Sequence, residues 1–128
     1  MSAARALVVE DEQVVRDVLM AVLQAEGYEV AAASEAGEAL QKARAFEPDL
    51  AIVDVRLGPG PDGFAVARRL QAQFGVALLF LTGGDAPDEL ERPGDHHITK
   101  PFSLDTLLWE VEAVLDRSGG APTPPGSG

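Results

Sequence analysis

The sequence predicts an α/β domain on one parallel sheet, and three observations carry that prediction. Short apolar runs recur along the chain: "ALVV" (6–9), "YEVAAA" (28–33), "LAIVD" (50–54) and "VALLFL" (76–81). The first, third and fourth are continuous rather than alternating, as strands covered on both faces are. Segments with helical spacing of apolar residues lie between the runs. Each step from strand to strand is then a right-handed crossover that returns the chain to the same sheet.

Element by element, residues 12–26 place Val15, Val18, Leu19, Val22 and Leu23 on one stripe, and Gly27 follows as a stop. Ser34 can cap a second helix in which Ala36, Leu40, Ala43 and Phe46 share a face, and that helix must end before Pro48. Asp62 can cap a third, with Phe64, Ala67, Leu70 and Phe74 inward and Arg68 and Arg69 solvated. After the fourth run comes "GGDAPDELERPGD" (83–95), where Pro87 and Pro93 leave room for a turn or two of helix. A short strand then leads to Lys100. Ser103 can cap a last helix with Leu104, Leu107, Leu108, Val111 and Leu115 inward.

The chain has 128 residues, 46% of them hydrophobic, enough for one domain with a full core. That domain is expected over residues 1–117. The segment 118–128, "SGGAPTPPGSG", has no apolar stripe and reads as a disordered tail or linker. A net charge of −11 argues against direct nucleic-acid binding, which needs a basic face, and is compatible with binding cations. The absence of cysteine excludes disulfides, thiolate metal sites and cysteine nucleophiles. No apolar run approaches the roughly 18 residues of a membrane span. The N-terminus lacks the apolar core of a signal peptide, so a cytoplasmic location is expected.

Ligands of open parallel sheets bind beyond the carboxyl ends of the strands. Glu10, Asp11 and Glu12 follow the first strand, Asp54 ends the third, Thr82 ends the fourth, and Lys100 ends the fifth with Pro101 after it. Carboxylates crowded together repel, and a divalent cation relieves them. Oxygen donors without histidine or thiolate suit a hard ion, Mg²⁺ or Mn²⁺. An ammonium and a hydroxyl beside one such carboxylate suit in-line phosphoryl transfer to it.

The motifs "LVVEDE", "AIVDVRL", "DGF", "FLTGG" and "KPF", in this order over residues 5 to about 117, resemble the receiver domain of two-component response regulators. Each alone is common, and the set at successive strand ends is specific. The resemblance implies a flavodoxin-like, CheY-like (βα)5 fold with strand order 2-1-3-4-5. It implies Asp54 as phosphoacceptor. Asp11 would be the direct ligand of Mg²⁺, Glu10 would act through water, and the backbone carbonyl of Arg56 would complete the protein ligands. Thr82 would be the switch hydroxyl and His97 would stand at a second switch position. Lys100 would pair with the phosphoryl group, aimed by a cis bond to Pro101. The implied partners are a sensor histidine kinase or histidine phosphotransfer protein, and a downstream protein target on the face of the fourth strand, fifth strand and last helix. The chain itself would be a monomer or weak homodimer, with no membrane partner and no enzyme activity beyond its own phosphorylation and dephosphorylation.

Some features depart from the family pattern. The loop "VRLGPGPDG" after Asp54 is longer than usual, and the stretch from Thr82 to Lys100 is shorter, which implies a short or mobile fourth helix. "FLTGG" with that stretch resembles a subfamily of single-domain receivers. His97 stands where an aromatic residue is usual, and a histidine there would make the switch sensitive to pH near neutrality. Arg56 and Gly84 occupy positions that tune dephosphorylation in the family. These departures motivate an alternative, a phosphorylation-independent interaction module on the same fold. A phosphatase with an aspartate nucleophile is disfavoured, because Arg56 stands where such enzymes usually carry a second acid. Read singly, Glu10 to Glu12 could be a helix cap and first turn, Thr82 a satisfied strand-end hydroxyl, and Lys100 a surface lysine.

Overall fold

The computed structural model describes residues 3–57, 62–83 and 96–115. The elements are β1 (Arg5–Val9), α1 (Gln13–Ala25), β2 (Glu29–Ala33), α2 (Ala36–Phe46), β3 (Leu50–Asp54), α3 (Gly63–Phe74), β4 (Ala77–Thr82), β5 (His96–Thr99) and α4 (Leu104–Leu115). All strand pairs are parallel, in the order β2-β1-β3-β4-β5. This is the flavodoxin-like arrangement that the resemblance implies. The short helix expected within 83–95 and the tail 118–128 fall outside the described residues.

Pleat alternation divides the core in two. Leu7, Val9, Ala51, Val53 and Phe80 pack with α2 and α3 on one face. Ala6, Val8, Ile52, Leu79, Leu81 and Ile98 pack with α1 and α4 on the other. Every residue of β3 is buried, which accounts for its uninterrupted apolar run up to Asp54. Burying one such Leu or Ile stabilises the fold by about 1.5–3 kcal/mol.

Helix ends follow local chemistry. Asp62 accepts a hydrogen bond from the Ala65 amide at 2.9 Å, and Ser103 Oγ accepts from the Thr106 amide at 3.1 Å, so both expected caps form. Gly27 takes φ +95° and ends α1 as expected. The expected Ser34 cap does not form. Helix α2 starts at Ala36 with Glu35 at the cap position, while Ser34 gives its amide to Glu38 Oε1 at 2.7 Å and turns its hydroxyl to the same oxygen. The bonds from Ser34 hold the Glu38 carboxyl below its usual value. At the other end of α2, Glu47 adopts φ +54°. The following Pro48 bars it from the right-handed helical region.

Two apolar stripes are narrower than the spacing implied. Val18 and Leu104 are 45% and 49% exposed. Leu19 and Leu23 anchor α1, and Leu107, Val111 and Val114 anchor α4. Both misplaced residues sit on the margin of a stripe, where a small rotation of the helix decides burial.

At the amino ends of the strands, Arg5 ties three elements together. Its amide meets Asp49 Oδ2 at 2.9 Å, its Nε meets Glu29 Oε2 at 3.0 Å, and its Nη1 meets the Phe46 carbonyl at 3.0 Å. The guanidinium lies 5.9 Å from the Phe46 ring centre.

Candidate functional site

At the carboxyl ends of the strands, the chain brings together residues that are far apart in sequence. Asp54 closes β3 and is 6% exposed, and Glu10, one residue past β1, is fully buried. Lys100, one residue past β5, sends Nζ to Asp54 Oδ2 at 2.7 Å and to Glu10 Oε2 at 3.0 Å. The Arg56 amide holds Asp54 Oδ1 at 2.8 Å. The Glu12 amide holds Glu10 Oε1 at 3.1 Å. Lys100 is therefore no surface lysine. Its side chain is 24% exposed, and the peptide bond to Pro101 is cis.

The acidic stretch after β1 is more than a helix cap. Helix α1 begins at Gln13, and Glu12 at its cap position makes no capping bond through its side chain. Arg16 reaches back from the first turn to the carbonyls of Glu10 (2.9 Å) and Asp11 (3.4 Å) and fixes that loop. Carboxylate oxygens of Glu10, Asp11 and Asp54 can all lie within 4.8 Å of one another. Both Glu10 oxygens are engaged by protein donors. The exposed Asp11 takes no side-chain hydrogen bond among the described residues.

Burial, and then the adjoining Asp54, push the Glu10 carboxyl up to about 7, against the pull of the Glu12 amide and Lys100. Burial also works against the Lys100 ammonium, but the pairing with Asp54 and Glu10 outweighs it and holds Lys100 above its ordinary value. Two buried acids, Glu10 and Asp54, and the exposed Asp11 thus crowd around one ammonium. An all-oxygen donor set of this kind fits a hard divalent cation, with Asp11 the carboxylate freest to bind it.

Thr82 is 1% exposed, but its hydroxyl lies over β5. It is 3.4 Å from the Ile98 carbonyl and 3.4 Å from Thr99 Oγ1. It is joined to the cluster through the backbone, because the Lys100 amide donates to the Thr82 carbonyl at 2.7 Å. His97 is exposed on β5 and faces the side shared with its register partner Phe80. Alternation puts that side opposite Lys100, as expected. His96 lies 3.5 Å from Glu110 Oε2 on α4. Gly84 falls outside the described residues.

Two contributors escaped the sequence reading. One is Arg16, an ordinary helix arginine by its spacing. The other is Gly63. A Cβ built there would stand 1.9 Å from the Asp54 carbonyl oxygen, and the Gly63 amide donates to the Val55 carbonyl at 3.1 Å. The motif "DGF" hinted at Gly63 without revealing that α3 starts against the backbone of Asp54.

Residues 6–112 match the family described as response regulator receiver domain. The aerobic respiration control protein ArcA of Escherichia coli K12 is 38% identical over 122 residues, covering 92% of this chain and 51% of ArcA. The chain thus spans about half the length of that relative. Among solved structures, a putative response regulator from Chloroflexus aurantiacus superposes with a TM-score of 0.80 at 31% identity, covering 91% of this chain and 100% of that one. The receiver domain of NtrX from Brucella abortus gives 0.81 at 29% identity, covering 88% and 99%. With the acidic group and Lys100 intact, the alternative of a module that has lost the chemistry is not favoured. The family match runs through every strand and helix described above, and the chain belongs to the response regulator receiver domain family, the phosphoacceptor signalling modules of two-component systems.

Proposed function

We propose that Asp54 accepts a phosphoryl group from a phosphohistidine on a sensor histidine kinase or phosphotransfer protein, in a reaction that needs Mg²⁺ or Mn²⁺. The observation that carries this reading is the setting of Asp54. It is a buried carboxylate with one oxygen on a backbone amide and the other on Lys100, beside two further acids. Asp11 and Asp54 would hold the cation, with Glu10 behind them through water and the Arg56 carbonyl as a further ligand. The chemistry a cation supplies there is neutralisation of charge on the phosphoryl oxygens.

The residues of the chain divide the remaining work. The Arg56 amide fixes Oδ1 and leaves Oδ2, on the Lys100 side, as the attacking oxygen. The new O–P bond forms as the N–P bond of the donor breaks, and the imidazole leaves. Lys100 then stands beside the incoming phosphoryl oxygens as their counter-charge. The added charge, close to −2, draws the Thr82 hydroxyl from β5 towards Asp54. The edge of the domain made by β4, β5 and α4, with His97 on the side of the sheet opposite α4, changes its population of conformations and its affinity for a protein target.

Incubation with Mg²⁺ and acetyl phosphate, or with a cognate kinase, should yield an acid-stable, base-labile adduct on the wild type and none on Asp54→Asn. The absence of an adduct on the wild type, or equal labelling of the variant, overturns the proposal. His97→Tyr should alter target affinity or its pH profile and leave labelling intact.

A further inference from the structure

Thr82 and Thr99 are register partners on β4 and β5, so their side chains stand on the same face of the sheet. The Lys100 amide, bonded to the Thr82 carbonyl at 2.7 Å, fixes the two strands next to that pair. The Thr82 hydroxyl can donate its one proton to the Ile98 carbonyl and still accept from Thr99 Oγ1, both at 3.4 Å. Of these two partners, only Thr99 is a side chain. Neither contact points towards Asp54, so a hydroxyl leaving for a phosphoryl group must give up both.

We infer that Thr99 is a positioning residue that latches Thr82 over β5 in the resting domain and sets how readily the switch is thrown. This rests on the reading of Thr82 as the hydroxyl that engages the phosphoryl group. Both bonds exceed the usual 2.5–3.0 Å for hydroxyl donors, so the latch is weak. Thr99 is exposed, so water can take over its hydroxyl once Thr82 departs. A ligand that needs the released form binds with an apparent Kd inversely proportional to the fraction released. Removing the latch therefore tightens binding, by about two- to threefold at the low end of a net hydrogen bond.

The test measures affinity for beryllofluoride, a phosphoryl mimic, at fixed saturating Mg²⁺, and separately the affinity for Mg²⁺ alone. Thr99→Val keeps the shape and removes the hydroxyl. It should tighten beryllofluoride binding about two- to threefold and leave Mg²⁺ affinity unchanged, a pattern that general loosening of the site would not produce. Thr99→Ser should behave as wild type. In a Thr82→Ala background, which should itself bind beryllofluoride more weakly, Thr99→Val should change nothing. If Thr82→Ala weakens binding and Thr99→Val does not tighten it, the latch is wrong and the switch reading survives. If Thr82→Ala has no effect, the role of Thr82 fails and the latch fails with it.

Discussion

The two ends of the sheet each carry an ion cluster, and they are built for different ends. At the amino ends, Arg5 meets Glu29, Asp49, the Phe46 carbonyl and the Phe46 ring, and both members of its side-chain ion pair are about half exposed, at 41% and 55%. Water shares that charge, and each group has a partner. At the carboxyl ends, the one ammonium of Lys100 faces two buried acids, Glu10 and Asp54, with the exposed Asp11 close by. The first cluster closes the fold. The second crowds acids in a low-dielectric place, where burial and Asp54 push the Glu10 carboxyl up to about 7 and a bound proton or cation relieves the crowding. Similar side chains thus make a clamp or a receptor according to burial and charge balance.

The largest expected effect separates packing from charge at the carboxyl end. Gly63→Ala would force a Cβ to within 1.9 Å of the Asp54 carbonyl oxygen. Overpacking commonly costs 1–3 kcal/mol, and a clash with backbone should reach about 3 kcal/mol or more. Urea denaturation should show it, and a cost under about 1 kcal/mol would mean that α3 can simply move away. Next comes the cation. Mg²⁺ at a hundred times its Kd should add about 2.7 kcal/mol to the wild type and essentially nothing to Asp11→Ala. Thermal melts with and without Mg²⁺ read this directly, and an equal gain in both proteins would place the ion elsewhere.

At the amino end, Arg5→Ala should destabilise by about 1.5 kcal/mol through the lost carboxylate, carbonyl and ring contacts, with no change in the Mg²⁺ response. Asp54→Asn should act in the opposite direction. It removes one of three crowded carboxylates and leaves Lys100 paired with Glu10, so without divalent cations it should stabilise the domain by about 1 kcal/mol. A destabilised Asp54→Asn would erase the distinction between the two clusters.

Most of this architecture was legible in the sequence, because strands covered on both faces write themselves as unbroken apolar runs. Asp54 closes one such run, and the acids after Val9 and the lysine before Pro101 stand at the ends of others. The parts that stayed hidden depend on how elements approach one another. Gly63 shows its purpose only when α3 lies against β3. The rotation of α1 and α4 decides that Val18 and Leu104 are exposed. The Thr82 hydroxyl turns to the Ile98 carbonyl and Thr99 Oγ1, neighbours only through strand pairing. Arg16 acquires its role from the loop carbonyls it reaches.

The bond from the Gly63 amide to the Val55 carbonyl has a consequence for how this site can vary. It fastens the chain to itself at the foot of the loop that leaves Asp54, so the segment from Val55 to Gly63 is a closed ring with its base anchored on β3. Residues inserted into such a ring enlarge its circumference without moving its base, and each doubling of length costs only about 0.6 kcal/mol. The longer-than-usual stretch "VRLGPGPDG" is therefore compatible with an undisturbed Asp54. Length changes between Val55 and Gly63 can thus be absorbed while Asp54 keeps its position.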